Sequence, residues 1–134
     1  MSYLLDTHIL LWALSNDDKL PKAARAIIGD DGNEVCYSII STWEVALKHS
    51  AHPDQLTLTA QQMSLYCRTA GFKRLDISEE DIFYLDSLQR PQNAPPHKDP
   101  FDRLLISQAK AEGLLFLTHD ALLPYYNEPC ILFV

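Results

Sequence analysis

The chain has 134 residues, the usual size of one domain, and we expect a single domain over residues 1–134. Its composition, 47% hydrophobic and 22% charged, predicts a folded globular protein and excludes a disordered one. The formal net charge of −7 argues against nucleic-acid binding by charge alone, because phosphate backbones attract lysine and arginine.

The first half of the chain alternates short apolar runs with segments of helical spacing. Pro21 stands where a first helical turn tolerates proline, and Gly29 follows the last position of that helix. The predicted elements are a strand at residues 3–5, helices at 9–14 and 21–29, a strand at 34–38 and a helix at 41–51.

The second half repeats the alternation. The predicted elements are a helix at 59–70, a strand at 74–77, a helix at 78–88, an irregular proline-containing segment at 89–98, a helix from 99 to 113, a strand at 114–117, a short helical turn and a strand at 130–134. Strands that alternate with helices predict an α/β protein, a three-layer α/β/α sandwich with a central, mostly parallel sheet.

No apolar run is long enough to cross a membrane, and the N-terminus lacks the features of a secretory leader. The three cysteines, Cys36, Cys67 and Cys130, are far apart and form no C-x-x-C pair, so neither a disulfide framework nor a thiolate zinc site is indicated. We therefore expect a soluble cytoplasmic protein in which the cysteines are packing residues.

Acidic residues follow the predicted strands. Asp6 comes directly after the first strand, Glu44 lies in the helix after the second, and Asp120 follows the strand at 114–117. Asp102 joins them from the start of a helix. Because ligands of parallel sheets bind beyond the carboxyl ends of the strands, we expect these four carboxylates to converge.

Helix capping is the alternative explanation for each acid. Asp6 and Asp120 each precede a predicted helix, and Ser41 to Glu44 matches a capping box. Asp99, followed by Pro100, has the pattern of a helix cap, and we expect capping to be its main role. Capping does not explain why so many of the caps are charged, since Ser, Thr or Asn would serve as well.

Clustered carboxylates raise one another's pKa, and a divalent cation relieves this repulsion. Mg²⁺ and Mn²⁺ prefer carboxylate and water oxygens, and such ions activate water for attack on a phosphodiester. The pattern therefore favours a metal-dependent hydrolase.

Four segments, taken in order, resemble the signature segments of VapC-type PIN domains. They are Leu4-Leu5-Asp6-Thr7-His8, Ser41-Thr42-Trp43-Glu44-Val45-Ala46, His97-Lys98-Asp99-Pro100-Phe101-Asp102-Arg103-Leu104-Leu105-Ile106 and Leu117-Thr118-His119-Asp120. The resemblance covers essentially the whole chain. It implies metal-dependent endonucleolytic cleavage of RNA, with Mg²⁺ or Mn²⁺ as cofactor, a homodimer, and inhibition by a cognate antitoxin.

By position, the resemblance assigns the catalytic and metal-binding acids to Asp6, Glu44, Asp102 and Asp120, with Asp99 as an auxiliary residue. We expect Asp6 and Asp102 to contact the main ion, and Glu44 and Asp120 to act through water or a second ion. Thr7 and Thr118 are left out of the catalytic set, because a threonine at a strand end often only stabilises the turn.

Basic and aromatic residues near these acids have two interpretations each. Lys98 and Arg103 are candidates for RNA phosphate contacts or plain surface charges, and Lys48 is placed to pair with Glu44. Trp12 and Trp43, among apolar neighbours, are predicted to be core or interface anchors rather than base-stacking residues.

The histidines divide into two groups. His49 and His52 have helical spacing, but without a third ligand nearby we interpret them as surface residues. The other three lie within three residues of a proposed metal-binding acid, and are candidates for hydrogen bonds to the ligands or for substrate contact: His8, His97 and His119.

Three rival functions were weighed against the nuclease. A phosphatase of the haloacid-dehalogenase type needs a second aspartate two residues after Asp6, where this chain has His8. A receiver domain needs a paired acid before the first helix and a lysine after the last strand, and neither is present. A catalytically inactive PIN-like interaction module is compatible with the sequence.

Overall fold

The computed structural model describes residues 1–134 and contains five strands and six α-helices. The strands are β1 Ser2–Leu5, β2 Glu34–Ser38, β3 Lys73–Leu75, β4 Leu115–Thr118 and β5 Ile131–Phe133. The helices are α1 Thr7–Ser15, α2 Lys22–Gly29, α3 Ile39–Ala51, α4 Ala60–Thr69, α5 Glu79–Phe83 and α6 Pro100–Glu112, with short 3₁₀ helices at Tyr84–Ser87 and Leu123–Tyr126.

The strands form one sheet in the order β3-β2-β1-β4-β5, and every neighbouring pair is parallel. The predicted α/β fold with its parallel sheet is confirmed. The chain builds outward from β1 through β2 to β3, then returns to place β4 on the other side of β1. This reversal puts a crevice beyond the carboxyl ends of β1 and β4, the usual ligand position in such sheets.

The two faces of the sheet are covered by different helices, because side chains of a strand alternate between faces. Leu5 and Leu117 belong to one buried cluster with residues of α1, α2 and α4. Leu4 and Phe116, their neighbours along the strands, belong to a second cluster with residues of α6. This is the three-layer arrangement that the alternating pattern predicts.

Local sequence explains the helix that carries the strongest acidic motif. Asp99 caps α6 by accepting hydrogen bonds from the backbone N–H groups of Phe101 (2.9 Å) and Asp102 (3.2 Å). Gly113 ends the helix with φ +68°, a left-handed conformation that glycine adopts without steric cost.

One predicted helix start is wrong. Helix α3 begins at Ile39, capped by the Ser38 side chain, so Ser41 to Glu44 do not form a capping box. Glu44 instead lies in the second turn and its carboxylate is free for tertiary contacts. The prediction failed because Ser38, at the end of β2, already satisfies the first helical N–H groups.

No helix in the structure is both long and apolar enough to span a lipid bilayer.

Candidate active site

The Asp6 carboxylate is held between the ends of β1 and β4. Asp6 is 3% exposed; its Oδ1 accepts from the Thr7 N–H at 2.7 Å and its Oδ2 accepts from Thr118 Oγ1 at 2.6 Å. Burial raises the pKa of Asp6, and the charge of Glu44 adds to that rise, while the bonds from Thr118 and Thr7 and the charge of His8 oppose it. Asp6 is thus a helix cap, as the capping alternative held, and also a buried charged group in the crevice.

Glu44 reaches the same crevice from α3. It is 3% exposed; its Oε1 accepts from Thr7 Oγ1 at 2.8 Å, and its Oε2 accepts from Lys48 Nζ at 2.5 Å. The Thr7 hydroxyl is itself 2.8 Å from Ser41 Oγ, so a buried chain of hydroxyls fixes the position of the Glu44 carboxylate. The predicted pairing of Lys48 with Glu44 is present.

The other acids also affect the pKa of Lys48. Burial lowers the pKa of its ammonium, but the hydrogen bond and charge of Glu44, together with the charges of Asp99 and Asp102, outweigh this, and the pKa lies above its ordinary value. Lys48 therefore remains a cation at the edge of the acidic group.

Asp102 is the acid on which the charges of all the other acids of the group act. It is 8% exposed, and its pKa is raised to about 8, first by burial and then by the charges of four neighbouring acids. These four are Asp6, Asp99, Glu44 and Asp120. Together with Asp102 these are the five acids proposed from the sequence, and the other four lie close enough to raise the pKa of Asp102.

Asp120 approaches from the turn after β4. Its backbone N–H donates to Thr118 Oγ1 at 3.1 Å, and its Oδ1 accepts from the Leu122 N–H at 2.9 Å. Thr118 thus links Asp6 and Asp120 through one hydroxyl, which donates to the first and accepts from the second. The predicted capping of the following short helix by Asp120 is wrong, because the 3₁₀ helix at Leu123–Tyr126 has no side-chain cap and the Asp120 carboxylate instead closes the turn before it.

His97 is the site residue that sequence reasoning left off the main set. One ligand atom each of His97, Asp102 and Asp120 lie within 4.8 Å of one another. The His97 side chain is 3% exposed, with Nε2 3.3 Å from Asp102 Oδ2 and Nδ1 2.7 Å from the Tyr126 hydroxyl. His97 lies five residues before Asp102 in the resemblance motif, but only the fold reveals its Tyr126 partner.

The bond to Tyr126 defines how His97 is oriented. When Asp102 is ionised it can only accept, so Nε2 carries the proton and the Tyr126 hydroxyl donates to Nδ1. The guanidinium of Arg90 lies 5.4 Å from the centre of the Tyr126 ring and holds that ring from the far side. Burial lowers the pKa of His97, although the charge of Asp120 opposes this effect. The lowered pKa favours the neutral ring.

The basic candidates lie at the border of the site. Lys98 is exposed, whereas Arg103 is half-buried and its charge acts on both His97 and Tyr126. A contact of either residue with RNA phosphate stays a prediction.

Trp43, His49 and His52 lie outside the acidic group. Trp43 is 54% exposed and packs edge-on against Phe101 at 4.8 Å between ring centres, so it is not a core residue. His49 Nδ1 donates to the backbone oxygen of Leu56 at 2.8 Å, and neither His49 nor His52 belongs to a group of potential metal ligands.

The chain was compared with known families and structures. Residues 3–127 match the family model described as PIN domain. No curated protein matches the sequence significantly.

Solved structures of similar fold are toxin and antitoxin assemblies. One is VapBC2 from Rickettsia felis bound to a promoter DNA fragment, with TM-score 0.65, 19% identity, and coverage of 100% of this chain and 98% of the other. Another is a toxin-antitoxin complex from Klebsiella pneumoniae, with TM-score 0.59, 19% identity, and coverage of 97% and 95%. A third is DNA-bound VapBC from Salmonella typhimurium, with TM-score 0.66, 16% identity, and coverage of 100% and 97%. At such identities the similarity establishes the fold.

Proposed function

Because the chain belongs to the PIN-domain family, we propose that it is a metal-dependent endoribonuclease of the VapC type, the toxin of a toxin–antitoxin pair. The observation that carries this proposal is the convergence of five acids on one crevice, where the pKa of Asp102 is raised to about 8. Such a cluster is unfavourable by itself and becomes favourable when a divalent cation is bound.

The donor set fits a hard divalent cation. Carboxylate oxygens dominate, as Mg²⁺ and Mn²⁺ prefer, and the His97 imidazole, within 4.8 Å of the ligand atoms of Asp102 and Asp120, is hydrogen-bonded to Asp102. Asp6, Asp102 and Asp120 would hold the ion, with Glu44 acting at the border and Asp99 mainly capping α6. When bound, the ion would supply a water of lowered pKa and neutralise charge on the phosphodiester.

The protein's own groups prepare the site for that chemistry. Thr7 and Thr118 donate to the two oxygens of Asp6 and so oppose the rise in its pKa that burial causes, and Thr7 and Lys48 donate to the two oxygens of Glu44. His97 donates to Asp102 when that acid is ionised, and so fixes its direction. These contacts orient the acids before substrate arrives, so little reorganisation accompanies the reaction.

Substrate and partners follow from the same proposal. The RNA phosphate would approach the crevice with Lys98 and Arg103 at its border, and an antitoxin protein would inhibit the enzyme, as the assemblies of similar fold suggest. We further propose a homodimer, one PIN domain over residues 1–134, and a location in the cytoplasm, whose reducing conditions suit three free cysteines.

The test is RNA cleavage by the purified protein. We expect Mg²⁺ or Mn²⁺ to support endonucleolytic cleavage of RNA, and EDTA or Asp6→Asn to abolish it. Cleavage that persists with EDTA, or in Asp6→Asn, would contradict the proposal. Metal binding by calorimetry without cleavage of any RNA would identify the chain as an inactive PIN-like interaction module.

A further inference from the structure

Four aromatic side chains form a continuous row beside the acids. His8 stacks on Trp12 with ring centres 5.8 Å apart and planes 16° apart, and His119 stacks on Phe133 at 5.5 Å and 11°. Trp12 meets His119 edge-on at 6.1 Å, which joins the two stacks. We call His8, Trp12, His119 and Phe133 the aromatic row.

The row is open to solvent at both ends. His8 and His119 are exposed and Phe133 is 46% exposed, while Trp12 is half-buried and packs against the core. Aromatic rings so placed cost free energy in water, and two of them, His8 and Phe133, end their stacks with an unpaired face. Trp12 is the predicted packing anchor only on the side of its ring that contacts the core.

Three residues of the row share a cleft with two of the acids, and Phe133 stacks on His119 outside its lining. A cavity of about 210 Å³ is lined by Asp6, Asp120, His8, Trp12 and His119. A molecule whose reacting atom sits at the carboxylates therefore has its neighbouring groups against aromatic rings. In a nucleic acid the groups next to the phosphate are nucleosides.

The chemistry of the row suits a nucleobase better than a phosphate or an aliphatic chain. Flat rings stack on bases of any sequence, and stacking does not require positive charge. This matters in a chain of net charge −7, in which lysine and arginine cannot supply the usual attraction to RNA. His119 Nδ1 donates to the backbone oxygen of Val134, which fixes the orientation of this ring.

We propose that the aromatic row is a base-stacking subsite that holds the unpaired nucleotides adjoining the scissile phosphate. This rests on the proposed ribonuclease function, and it adds that the substrate is bound as single-stranded RNA with its bases turned onto His8 and Phe133. The row supplies affinity that the surface charge cannot.

The experiment separates base contacts from phosphate contacts. A fluorescein-labelled decaadenylate and the same decamer with abasic riboses at alternate positions are titrated with protein in Ca²⁺, which takes oxygen ligands, and anisotropy gives Kd. A gel run after each titration checks that the decamers are intact. The variants are Phe133→Leu and His8→Leu, which keep apolar volume but remove the ring.

The control is Phe83→Leu, because Phe83 is 64% exposed and lies on α5, away from the cleft. We expect Phe133→Leu and His8→Leu each to weaken decaadenylate binding about tenfold, within the range for loss of one stacked base. Binding of the abasic decamer should change less than about twofold, and Phe83→Leu should change neither Kd. Phe133→Tyr, which restores a ring, should bind like the wild type.

Other results overturn the inference. Equal Kd values for Phe133→Leu, His8→Leu and the control would do so, and so would equal weakening with both decamers. A change of oligomeric state in sedimentation, without a change of Kd, would assign this face to protein contacts. A wild-type protein that cleaves RNA but does not favour decaadenylate over the abasic decamer would leave the proposed function standing and remove the subsite. A protein that binds decaadenylate through the aromatic row but cleaves no RNA would leave the subsite standing and remove the proposed ribonuclease function.

Discussion

The two sides of the acidic crevice differ in how their carboxylates are compensated. On the side of α1 and α3, both oxygens of Asp6 and both oxygens of Glu44 accept hydrogen bonds from the protein. On the side of α6, Asp102 has only the 3.3 Å contact with His97. The first side has a donor for each carboxylate oxygen, although burial still raises the pKa of Asp6, whereas Asp102 on the second side is favourable only when it is protonated or bound to a cation.

The acids are therefore not equivalent, although their sequence patterns are similar. An acid with matched donors contributes to the stability of the fold, and its removal leaves buried donors unpaired. An acid among other acids costs stability, and its removal relieves repulsion. Replacement of an Asp by Asn should therefore change the free energy of unfolding in opposite directions on the two sides.

The largest expected effect tests that contrast directly. Asp102→Asn and Asp6→Asn should each lower RNA cleavage about a thousandfold or more, the scale on which loss of one member of a catalytic group acts. In EDTA at pH 8.5, Asp102→Asn should raise the free energy of unfolding by on the order of 1 kcal/mol, through lost repulsion. Asp6→Asn should lower it by about 1–3 kcal/mol, because Thr118 then faces an amide donor. Urea unfolding measures both, and shifts of the same sign would contradict the contrast.

Bound metal should stabilise the α6 side more than the side of α1 and α3, because Asp102 has fewer hydrogen-bond donors of its own. Adding Mn²⁺ at a hundred times its Kd should raise the free energy of unfolding of the wild type by about 2.7 kcal/mol, as linkage requires for a ligand of the native state. The gain should largely disappear in Asp102→Asn. Thermal unfolding with and without EDTA measures it, and an equal gain in wild type and variant would show that the ion binds elsewhere.

The pH dependence of the metal-free protein should follow Asp102. Its pKa is near 3.8 in the unfolded chain and about 8 in the folded protein, so the folded state holds a proton that the unfolded chain has lost. This contribution is fully present below pH 3.8 and is lost as the pH rises to about 8. Urea unfolding in EDTA should therefore show a fall in stability toward pH 8 that is smaller in Asp102→Asn, in which the raised pKa of Asp6 remains. A wild-type profile that parallels the variant would refute the assignment.

The hydrogen bond between Tyr126 and His97 allows the α6 side to be tested through residues that are not acids. Tyr126→Phe removes the hydroxyl that orients His97, and should weaken Mn²⁺ binding about tenfold, the lower range for loss of a group that orients a metal ligand. Calorimetry measures the Kd of the ion. Tyr125→Phe is the matched control, since Tyr125 is 43% exposed and is not bonded to His97, and should leave the Kd unchanged. An unchanged Kd in Tyr126→Phe would mean that His97 does not depend on this bond.

The smallest expected effect concerns Asp99. Asn caps helices as well as Asp does, so Asp99→Asn should change stability by less than about 0.5 kcal/mol, while Asp99→Ala should cost about 1 kcal/mol. If capping is its main role, cleavage in Asp99→Asn stays within about threefold of wild type. A much larger loss would place Asp99 among the metal ligands.

The sequence by itself determined the order of the elements and the position of the acids along them. Short apolar runs indicate the buried strands and a period of 3.6 indicates the helices, and β2 at Glu34–Ser38 matches its predicted bounds. The acids were found because strand ends in parallel sheets share one edge. The start of α3 was missed, since local pattern does not say which of Ser38 and Ser41 caps the helix.

Only the tertiary structure decided what each acid meets. Thr118 lies 112 positions from Asp6, and Thr7 lies 37 positions from Glu44, yet these hydroxyls set which carboxylates are compensated. His97 owes its place to Tyr126, and the aromatic row joins residues from both ends of the chain. Such contacts depend on how β1 and β4 pair, a non-local choice that minimises buried unpaired polar groups across the whole fold and that no short segment encodes.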